Sequence, residues 1–295
     1  MNKKTPVRLK PECISCLVDK QLKAYPDNIT EFQKTDYMQG VLKIVAEATP
    51  DMSAPVIVGK IYDLQKEMFG IEQDFTETKR YFNEQMLLRY DTFSQAVNAS
   101  NEPIKLAIQY AMIGNFIDFG AMKDVDENQL HELLAKAESI DLNPTEYNNL
   151  RNEISNKEKM VYLTDNCGEI VFDKLLIETI QKINPELDIK VIVRGYKVLN
   201  DATMEDAFQV GLDQMAAVTG NGSNIAGTCL DNISDEAKNL IEQADFIISK
   251  GQGNFETLQE CGLNIYYLFL CKCMMFANRF KVPRFTGMLL NDSRM

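Results

Sequence analysis

The first half of the chain repeats apolar residues at the spacing of an amphipathic helix. Ile57, Ile61 and Leu64 fall four and then three residues apart, and similar spacing recurs further along this half. Residues at such intervals share one face of a helix and are typical of helices that pack against a core. No strong strand-like run interrupts the pattern. It predicts an all-α helical domain over residues 1–156.

From residue 157 onward, short apolar runs alternate with helical stretches. Strands are predicted at 160–163, 189–193, 216–219, 246–248 and 264–270, and helices near 170–183, 203–215, 234–244 and 272–281. Buried strands that alternate with helices form parallel β-α-β units, whose sheet is covered on both faces. Residues 157–295 are therefore predicted to form a separate α/β domain.

Polar and small residues follow each predicted strand. In open parallel sheets, ligands bind beyond the carboxyl ends of the strands, so these residues are the first candidates for a functional site. In chain order they are Asp165-Asn166, Arg194 with Asp201, Gly220-Asn221, Lys250-Gly251 with Asn254, and Cys271-Lys272-Cys273.

The chemistry of these residues favours a metal ion and a phosphate. Asp165, Asn166 and Asp201 offer oxygen ligands, which suit Mg²⁺ or Mn²⁺ better than Zn²⁺. Lys250 could meet a phosphate as a point charge, and the backbone amides of residues 220–224 could bind an anion. A metal and a lysine together would reverse the chain's negative charge locally.

Each of these residues also has a plain structural interpretation. An Asp165-Asn166 pair alone is typical of a helix N-cap, and Asp201 of a turn. Arg194 could contact phosphate or pair with a ligand carboxylate, and Glu169 is better explained as an acid in a first helical turn. Their joint placement on one edge of the sheet is what favours a functional site.

The helical half contains one further candidate. Asn115 lies on the apolar face that Ile108 and Ala111 define, and a buried amide there needs a hydrogen-bond partner. Asn115 is then either a satisfied core residue or, together with Asp118, part of the site across the domain boundary.

Composition narrows the classes of molecule that the protein is expected to bind. The 295 residues contain 31 Lys and Arg against 43 Asp and Glu, for a net charge of −12. Such a chain repels nucleic acids and anionic membranes, so neither is an expected partner. No apolar run is long enough to cross a bilayer. No apolar stretch follows the basic residues near the N-terminus, so a signal peptide is not expected. The seven cysteines then indicate reduced thiols and a cytoplasmic protein, while the oligomeric state stays open.

Four of the cysteines could have a function of their own. Cys13 and Cys16 have the spacing of half a zinc or redox site, which Cys271 and Cys273 could complete. Reduced structural thiols are the alternative, because a single CxxC pair is a weak signal.

Four short motifs together resemble the damage-control phosphatases, a family related to the acidic-residue methyltransferase-like proteins and long grouped as a domain of unknown function. The similarity is greatest to the stand-alone, cysteine-containing microbial branch and extends over nearly the whole chain. The motifs are Gly114–Asp118, Asp165–Glu169, Asn200–Thr203 and Lys250–Asn254.

The resemblance implies a helical N-terminal part and a Rossmann-like three-layer α/β/α part. It implies a divalent metal (Mn, Mg, Co or Ni) on Asp165, Asn166 and Asp201, with Asn115 and Lys250 on the phosphate side. The activity expected is hydrolysis of small phosphorylated metabolites, such as sugar phosphates or damaged phosphometabolites. Lys250 joins the three metal ligands as a catalytic residue, and the expected substrate-binding residues are Asn115, Asp118, Arg194, Gly220, Asn221, Gly251 and Asn254.

Two other functions stay open. The glycine-containing loop 220–224 would suit a Rossmann-like methyltransferase or nucleotide-binding enzyme, although no G-x-G-x-x-G follows the first strand, where Asp165 and Asn166 stand instead. A non-catalytic metal or redox sensor built on the cysteines would leave the polar strand ends unexplained.

Overall fold

A computed structural model describes residues 8–26, 28–71, 74–118 and 126–295 of the chain. The chain divides into two compact units, Met1–Asp74 and Phe75–Met295, and each unit has its own buried apolar core. The boundary between the units therefore differs from the predicted domain boundary at residue 156, because the later helices of the first half pack in the same unit as the sheet.

The first unit is helical in its described residues. Its helices are α1 (Pro11–Gln21), α2 (Glu31–Glu47) and α3 (Ala54–Phe69). Thr30 and Gln33 begin α2 with a capping box, in which each side chain bonds the other's backbone N–H. Ile57 and Ile61 are fully buried in the core of this unit, as the helical spacing predicted, and Tyr37 is buried beside them.

The second unit begins with more helices. They are α4 (Thr76–Leu87), α5 (Tyr90–Ala99), α6 (Pro103–Gly114), α7 (Glu127–Ala135), a 3-10 turn (Ala137–Ser139) and α8 (Pro144–Asn156). Ten of the twelve residues of α6 are buried, as expected for a helix that is apolar on every side. Within the described ranges, no helix combines the length and apolarity needed to cross a bilayer.

A six-stranded sheet follows. Its strands are β1 (Lys159–Leu163), β2 (Asp188–Val193), β3 (Ala217–Gly220), β4 (Phe246–Lys250), β5 (Ile265–Leu270) and β6 (Gly287–Asn291). The spatial order is β3-β2-β1-β4-β5-β6, and only β6 runs antiparallel to its neighbour. The five predicted strands are confirmed, whereas β6 was not predicted.

Helices cover both faces of the sheet. They are α9 (Glu169–Ile183), α10 (Met204–Val210), α11 (Asp235–Gln243), α12 (Gln252–Leu258) and α13 (Met274–Phe280), followed by a 3-10 turn (Asp292–Arg294). Along β1, Met160 and Tyr162 enter one core, and Val161 and Leu163 enter the other. The predicted three-layer α/β/α architecture is confirmed.

The strand order creates a crevice at the centre of the sheet. After β1 the chain adds β2 and β3 on one side, and it then returns to place β4 on the other side of β1. The segments that leave β1 and β4 therefore run in opposite directions, and such a reversal point is where open α/β sheets bind ligands.

Candidate active site

Two loops are joined at the carboxyl ends of β1 and β2. The backbone N–H of Ala202 donates to the carbonyl oxygen of Asp165 at 2.7 Å, and that of Cys167 donates to Asn200 at 2.8 Å. These bonds form a short bridge between Asn166 and Asp201. The three predicted metal ligands are thereby brought together by the backbone itself.

Asp165 lies at the centre of a buried polar network. Its Oδ2 accepts hydrogen bonds from the side-chain amides of Asn166, at 2.7 Å, and Asn115, at 3.0 Å. Its Oδ1 accepts from Nη2 of Arg194 at 3.3 Å. Asn115 comes from the end of α6, and its own Oδ1 accepts from the backbone N–H of Leu270 at 3.1 Å. Asn115 of the helical half therefore contacts the predicted ligand Asp165 directly.

Gly251 packs directly against the Asp165 carboxylate. Its φ of 80° lies in the left-handed range that favours glycine. A Cβ atom at this position would lie 1.9 Å from Oδ2 of Asp165. Only glycine therefore leaves room for the Asp165 carboxylate at this position, which follows β4. This requirement is separate from any contact between its backbone and the substrate.

Arg194 is an internal partner of the carboxylates, which is the second of its two sequence interpretations. The guanidinium is almost fully buried, and its Nε donates to Asp201 at 2.6 Å. Its Nη1 donates to Oδ1 of Asn254 at 3.2 Å. The amide of Asn254 in turn donates to the carbonyl oxygens of Thr164 and Lys250, at 3.0 and 2.7 Å. The contacts of Arg194 and Asn254 favour a structural role over the predicted contact with substrate.

Lys250 also points inward. Its Nζ donates to Glu169 at 2.7 Å, to Asp173 at 2.6 Å and to the carbonyl oxygen of Ala111 at 2.9 Å. An ammonium has three N–H donors, so all of them are used within the protein. The side chain is fully buried. Lys250 lies at the predicted strand end, but these contacts do not favour the predicted direct contact with phosphate.

Glu169 connects the lysine to Asn166, a predicted metal ligand, and its sequence position did not indicate this role. Its Oε2 accepts from the amides of Asn166 and Asn115, at 2.9 and 3.0 Å. It begins α9 as an acid in the first turn, as predicted, but it is fully buried and bonded on both oxygens. Sequence reasoning missed this residue because first-turn acids are usually explained by the helix dipole alone.

Burial and like charges raise the pKa values of the central carboxyl groups. The pKa of Asp165 is raised well above its usual range, first by burial and then by Asp201 and Glu169. Burial also raises the pKa of Asp201 to about 6, although Arg194 opposes the shift. Burial lowers the pKa of Lys250, but Asp173 and Glu169 outweigh this effect and raise it above its usual value. The lysine is therefore held as a cation.

The donor set fits a divalent cation. The described side chains of the cluster carry five carboxylates and three cationic groups, which leaves two negative charges when all are ionised. The carboxylates are Asp118, Asp165, Glu169, Asp173 and Asp201, and the cations are Arg194, Lys250 and Lys272. No three His, Cys, Asp or Glu side chains of the described residues form a metal-binding group. The predicted site is not such a group, because one of its three ligands is the side-chain amide oxygen of Asn166. Hard divalent cations bind amide oxygens of this kind.

The remaining predicted substrate contacts lie at the edge of the cluster. Asp118 accepts a hydrogen bond of 2.5 Å from Lys272, a buried cation that follows β5 and to which the sequence interpretation assigned no role. The side-chain oxygen of Asn221, which follows Gly220, accepts from the backbone N–H groups of Gly195 and Ser223, at 2.8 and 2.9 Å. Part of this loop's hydrogen-bonding capacity is thus used internally, which does not favour the nucleotide alternative.

The cysteines lie in different settings. Cys13 and Cys16 are on α1 in the first unit, with Cys16 exposed, whereas Cys271 and Cys273 follow β5 in the second unit. All seven cysteines of the chain are among the described residues, and none forms a disulfide. The structural zinc or redox site stays a prediction.

A cavity of about 330 Å³ lies elsewhere in the second unit. It contains none of the predicted site residues. Its lining comes from the start of α6, from α8 and from the last residue of α9, and consists of Asn101, Glu102, Pro103, Ile104, Tyr147, Arg151, Ile154, Ser155 and Ile183.

The damage-control phosphatase ARMT1-like domain matches residues 9–286, so the chain belongs to that family. The resemblance drawn from the four motifs is confirmed.

Individual relatives agree with this assignment. The chain is 31% identical to the damage-control phosphatase PH1575 of Pyrococcus horikoshii, over 94% of this chain and 96% of that protein. It is 31% identical to a damage-control phosphatase of Archaeoglobus fulgidus, with 90% and 93% covered. The crystal structure of a DUF89 family protein from Pyrococcus horikoshii superposes with a TM-score of 0.78 at 26% identity, covering 96% of this chain and 99% of that one. These relationships support a phosphatase role at the level of the family.

Proposed function

We propose that the chain is a metal-dependent phosphomonoesterase that hydrolyses small phosphorylated metabolites, such as sugar phosphates or damaged phosphometabolites. The observation that carries this proposal is the meeting of Asp165, Asn166 and Asp201 at the carboxyl ends of β1 and β2, in a cluster with an excess of negative charge. The names of the relatives support the same reaction class. The absence of disulfides agrees with a cytoplasmic location.

The residues of the chain have separate roles in this proposal. Asp165, the oxygen of Asn166 and Asp201 would hold a divalent Mn, Mg, Co or Ni ion. Such an ion supplies a Lewis acid for a phosphoryl oxygen and lowers the pKa of a bound water. Arg194 holds the carboxylates of Asp165 and Asp201 in place through its two hydrogen bonds. The same carboxylates are the groups placed to orient an attacking water.

The test is phosphate release by the purified full chain after treatment with a chelator. Addition of Mn²⁺, Co²⁺, Mg²⁺ or Ni²⁺ should restore hydrolysis of an aryl phosphate and of members of a sugar-phosphate panel. Asp165→Ala should abolish this turnover, because it removes a metal ligand, whereas Asp213→Ala should leave it unchanged, because Asp213 is exposed and outside the cluster.

Absence of phosphate release with all four metals, or full activity of Asp165→Ala, would overturn the proposal. Calorimetry with S-adenosylmethionine belongs to the same experiment, since binding of that compound in place of phosphatase activity would support the methyltransferase alternative.

A further inference from the structure

Three charged side chains are enclosed between α9, β4 and α6. Glu169, Asp173 and Lys250 are each fully buried, and the lysine bonds both carboxylates. Burying an ionised group is unfavourable unless it is paired and hydrogen-bonded, so these contacts hold the three groups in a fixed arrangement. Tyr162 adds a hydrogen bond of 2.7 Å to Oδ1 of Asp173.

The two oxygens of Glu169 face different partners. Oε1 accepts from the ammonium of Lys250 at 2.7 Å. Oε2 accepts from the side-chain amides of Asn166 and Asn115, at 2.9 and 3.0 Å, and from the backbone N–H of Asn166 at 3.3 Å. Lys250 therefore fixes the position of Glu169, and Glu169 in turn fixes the side-chain amides of Asn115 and Asn166.

The Asn166 amide is oriented by these contacts. Its Nδ2 carries two N–H bonds, one donated to Oε2 of Glu169 and one to Oδ2 of Asp165, at 2.9 and 2.7 Å. Both N–H bonds of the amide are thus used by these carboxylates, which leaves the carbonyl oxygen as the polar atom of the side chain available to a cation. That oxygen is the only atom of the side chain that a hard cation can bind.

We propose that Glu169, anchored by Lys250, is a positioning residue that orients Asn166 for metal binding. This inference rests on the proposed function, since it takes Asp165, Asn166 and Asp201 as the metal ligands. It assigns Lys250 an action through Glu169 in place of a contact with phosphate. Residues that orient metal ligands in this way have a strong influence on the affinity of the site for its metal.

Replacement of Glu169 by glutamine tests the role of the second carboxylate oxygen. A carboxylate accepts on both oxygens, whereas a glutamine must present its NH₂ group either to Lys250 or to the asparagines, and all of these are donors. Glu169→Gln keeps the size of the side chain and leaves Lys250 paired with Asp173, so the buried lysine keeps a charged partner. The expected result is a changed orientation of Asn166 in a folded protein.

The measurement is Co²⁺ binding to the chelator-treated full chain, followed by calorimetry and by the visible absorption of the bound ion. In Glu169→Gln the dissociation constant should rise about 10–100-fold, as for other partners of metal ligands, and the absorption spectrum should change. Asp173→Asn is the matched control, because it alters the other carboxylate of Lys250 without touching Asn166. Oδ2 of Asp173 has no hydrogen-bond partner among the described residues, so an NH₂ group there breaks no bond. This variant removes the same charge from the cluster, so it should bind Co²⁺ with the spectrum of the wild type and with a smaller loss of affinity than Glu169→Gln.

The outcomes separate this inference from the proposed function. Wild-type affinity and spectrum in Glu169→Gln would overturn the positioning role, and so would an equal change in Asp173→Asn. Failure of the wild type itself to bind Co²⁺, Mn²⁺, Mg²⁺ or Ni²⁺ would overturn the proposed function. Thermal unfolding checks the fold of each variant. If Glu169→Gln does not fold, Glu169→Asp gives the same test, because it withdraws the carboxylate from Asn166 while keeping its charge, and wild-type Co²⁺ binding in it would also overturn the inference.

Discussion

Gly251 is the residue whose side-chain size most directly affects the predicted metal ligand Asp165. Gly251→Ala places a methyl group in the volume of the Asp165 carboxylate and forces φ and ψ of 80° and 156° on a residue with a side chain. We expect a loss of about 1–3 kcal/mol in the free energy of unfolding, because this backbone region is almost restricted to glycine. Displacement of Asp165 should also weaken Mn²⁺ binding, measured by calorimetry.

The matched control is Gly59→Ala in α3. A Cβ atom there would meet nothing within 4 Å, and alanine in a helix interior is more stable than glycine by about 0.5–1 kcal/mol. Chemical denaturation should therefore show the two glycine variants shifting stability in opposite directions. Normal Mn²⁺ affinity in Gly251→Ala would contradict the close packing of Gly251 on Asp165.

The thiols should differ in their reactivity toward alkylating reagents. Cys16 is exposed. Burial raises the pKa of Cys167 far above its usual range, and burial raises that of Cys271 to about 11. Since only the thiolate reacts, iodoacetamide should label Cys16 in the native protein and leave Cys167 and Cys271 unmodified. Peptide mass spectrometry before and after denaturation measures this, and native labelling of Cys167 at the rate of Cys16 would contradict it.

At the scale of elements, α4 holds the turn that leads into α9. Oδ1 of Asn83 accepts from the backbone N–H of Gly168 at 2.6 Å, next to the predicted metal ligands Asp165 and Asn166. Its Nδ2 donates to Asp206 and to Gln209 of α10, at 2.9 and 2.8 Å. One buried amide thus connects α4 with the start of α9 and with α10.

Asn83→Ala should destabilise the fold and loosen this turn. Its removal leaves the N–H of Gly168 buried without its partner, and such a group costs about 1–3 kcal/mol. Urea denaturation measures the loss of stability, and Mn²⁺ calorimetry measures the effect on the site. The exposed Asn98→Ala on α5 should stay within about 0.5 kcal/mol of the wild type. Equal stability of the two variants would show that the bonds of Asn83 do not contribute as described.

Elements with a clear period could be predicted from the sequence, and elements shaped by distant partners could not. β1 and β4 are continuous apolar runs, and the polar residues after them lie at the predicted edge. No helix was predicted near residues 252–258, where Gly253 opposes helix formation. The structure has α12 there, stabilised by the buried side chains of Phe255 and Leu258. Packing outweighs the local preference at this point.

The same limit applies to the candidate site, where contacts between residues far apart in the chain could not be predicted. Asp165, Asn166 and Asp201 could be located because each follows a recognisable strand. The pairing of Lys250 with Glu169 joins residues 81 positions apart, and no local pattern reports such a contact. For the same reason β6 was missed, because its pairing with β5 is what defines it.

At the scale of the whole molecule, the predicted site residues fall almost entirely in one of the two units. Apart from Cys13 and Cys16, every predicted site residue lies in Phe75–Met295, which has cores on both faces of its sheet. We expect residues 75–295 expressed alone to unfold cooperatively and to bind Mn²⁺ with an affinity close to that of the full chain. Circular dichroism during denaturation and calorimetry measure the two properties.

The full chain carrying Asp165→Ala is the negative control for that binding. An insoluble 75–295 fragment, or a folded fragment without Mn²⁺ affinity, would show that the first unit is needed for the site.

The bond between Asn115 and the backbone of Leu270 spans 155 residues. During synthesis the first of these residues leaves the ribosome long before the second, and Asp165 and Asp201 emerge between them. In a nascent chain, Asn115 therefore lacks this bond until Leu270 has been made. A truncated product that ends before β5 would lack the Leu270 contact that holds Asn115 beside Asp165.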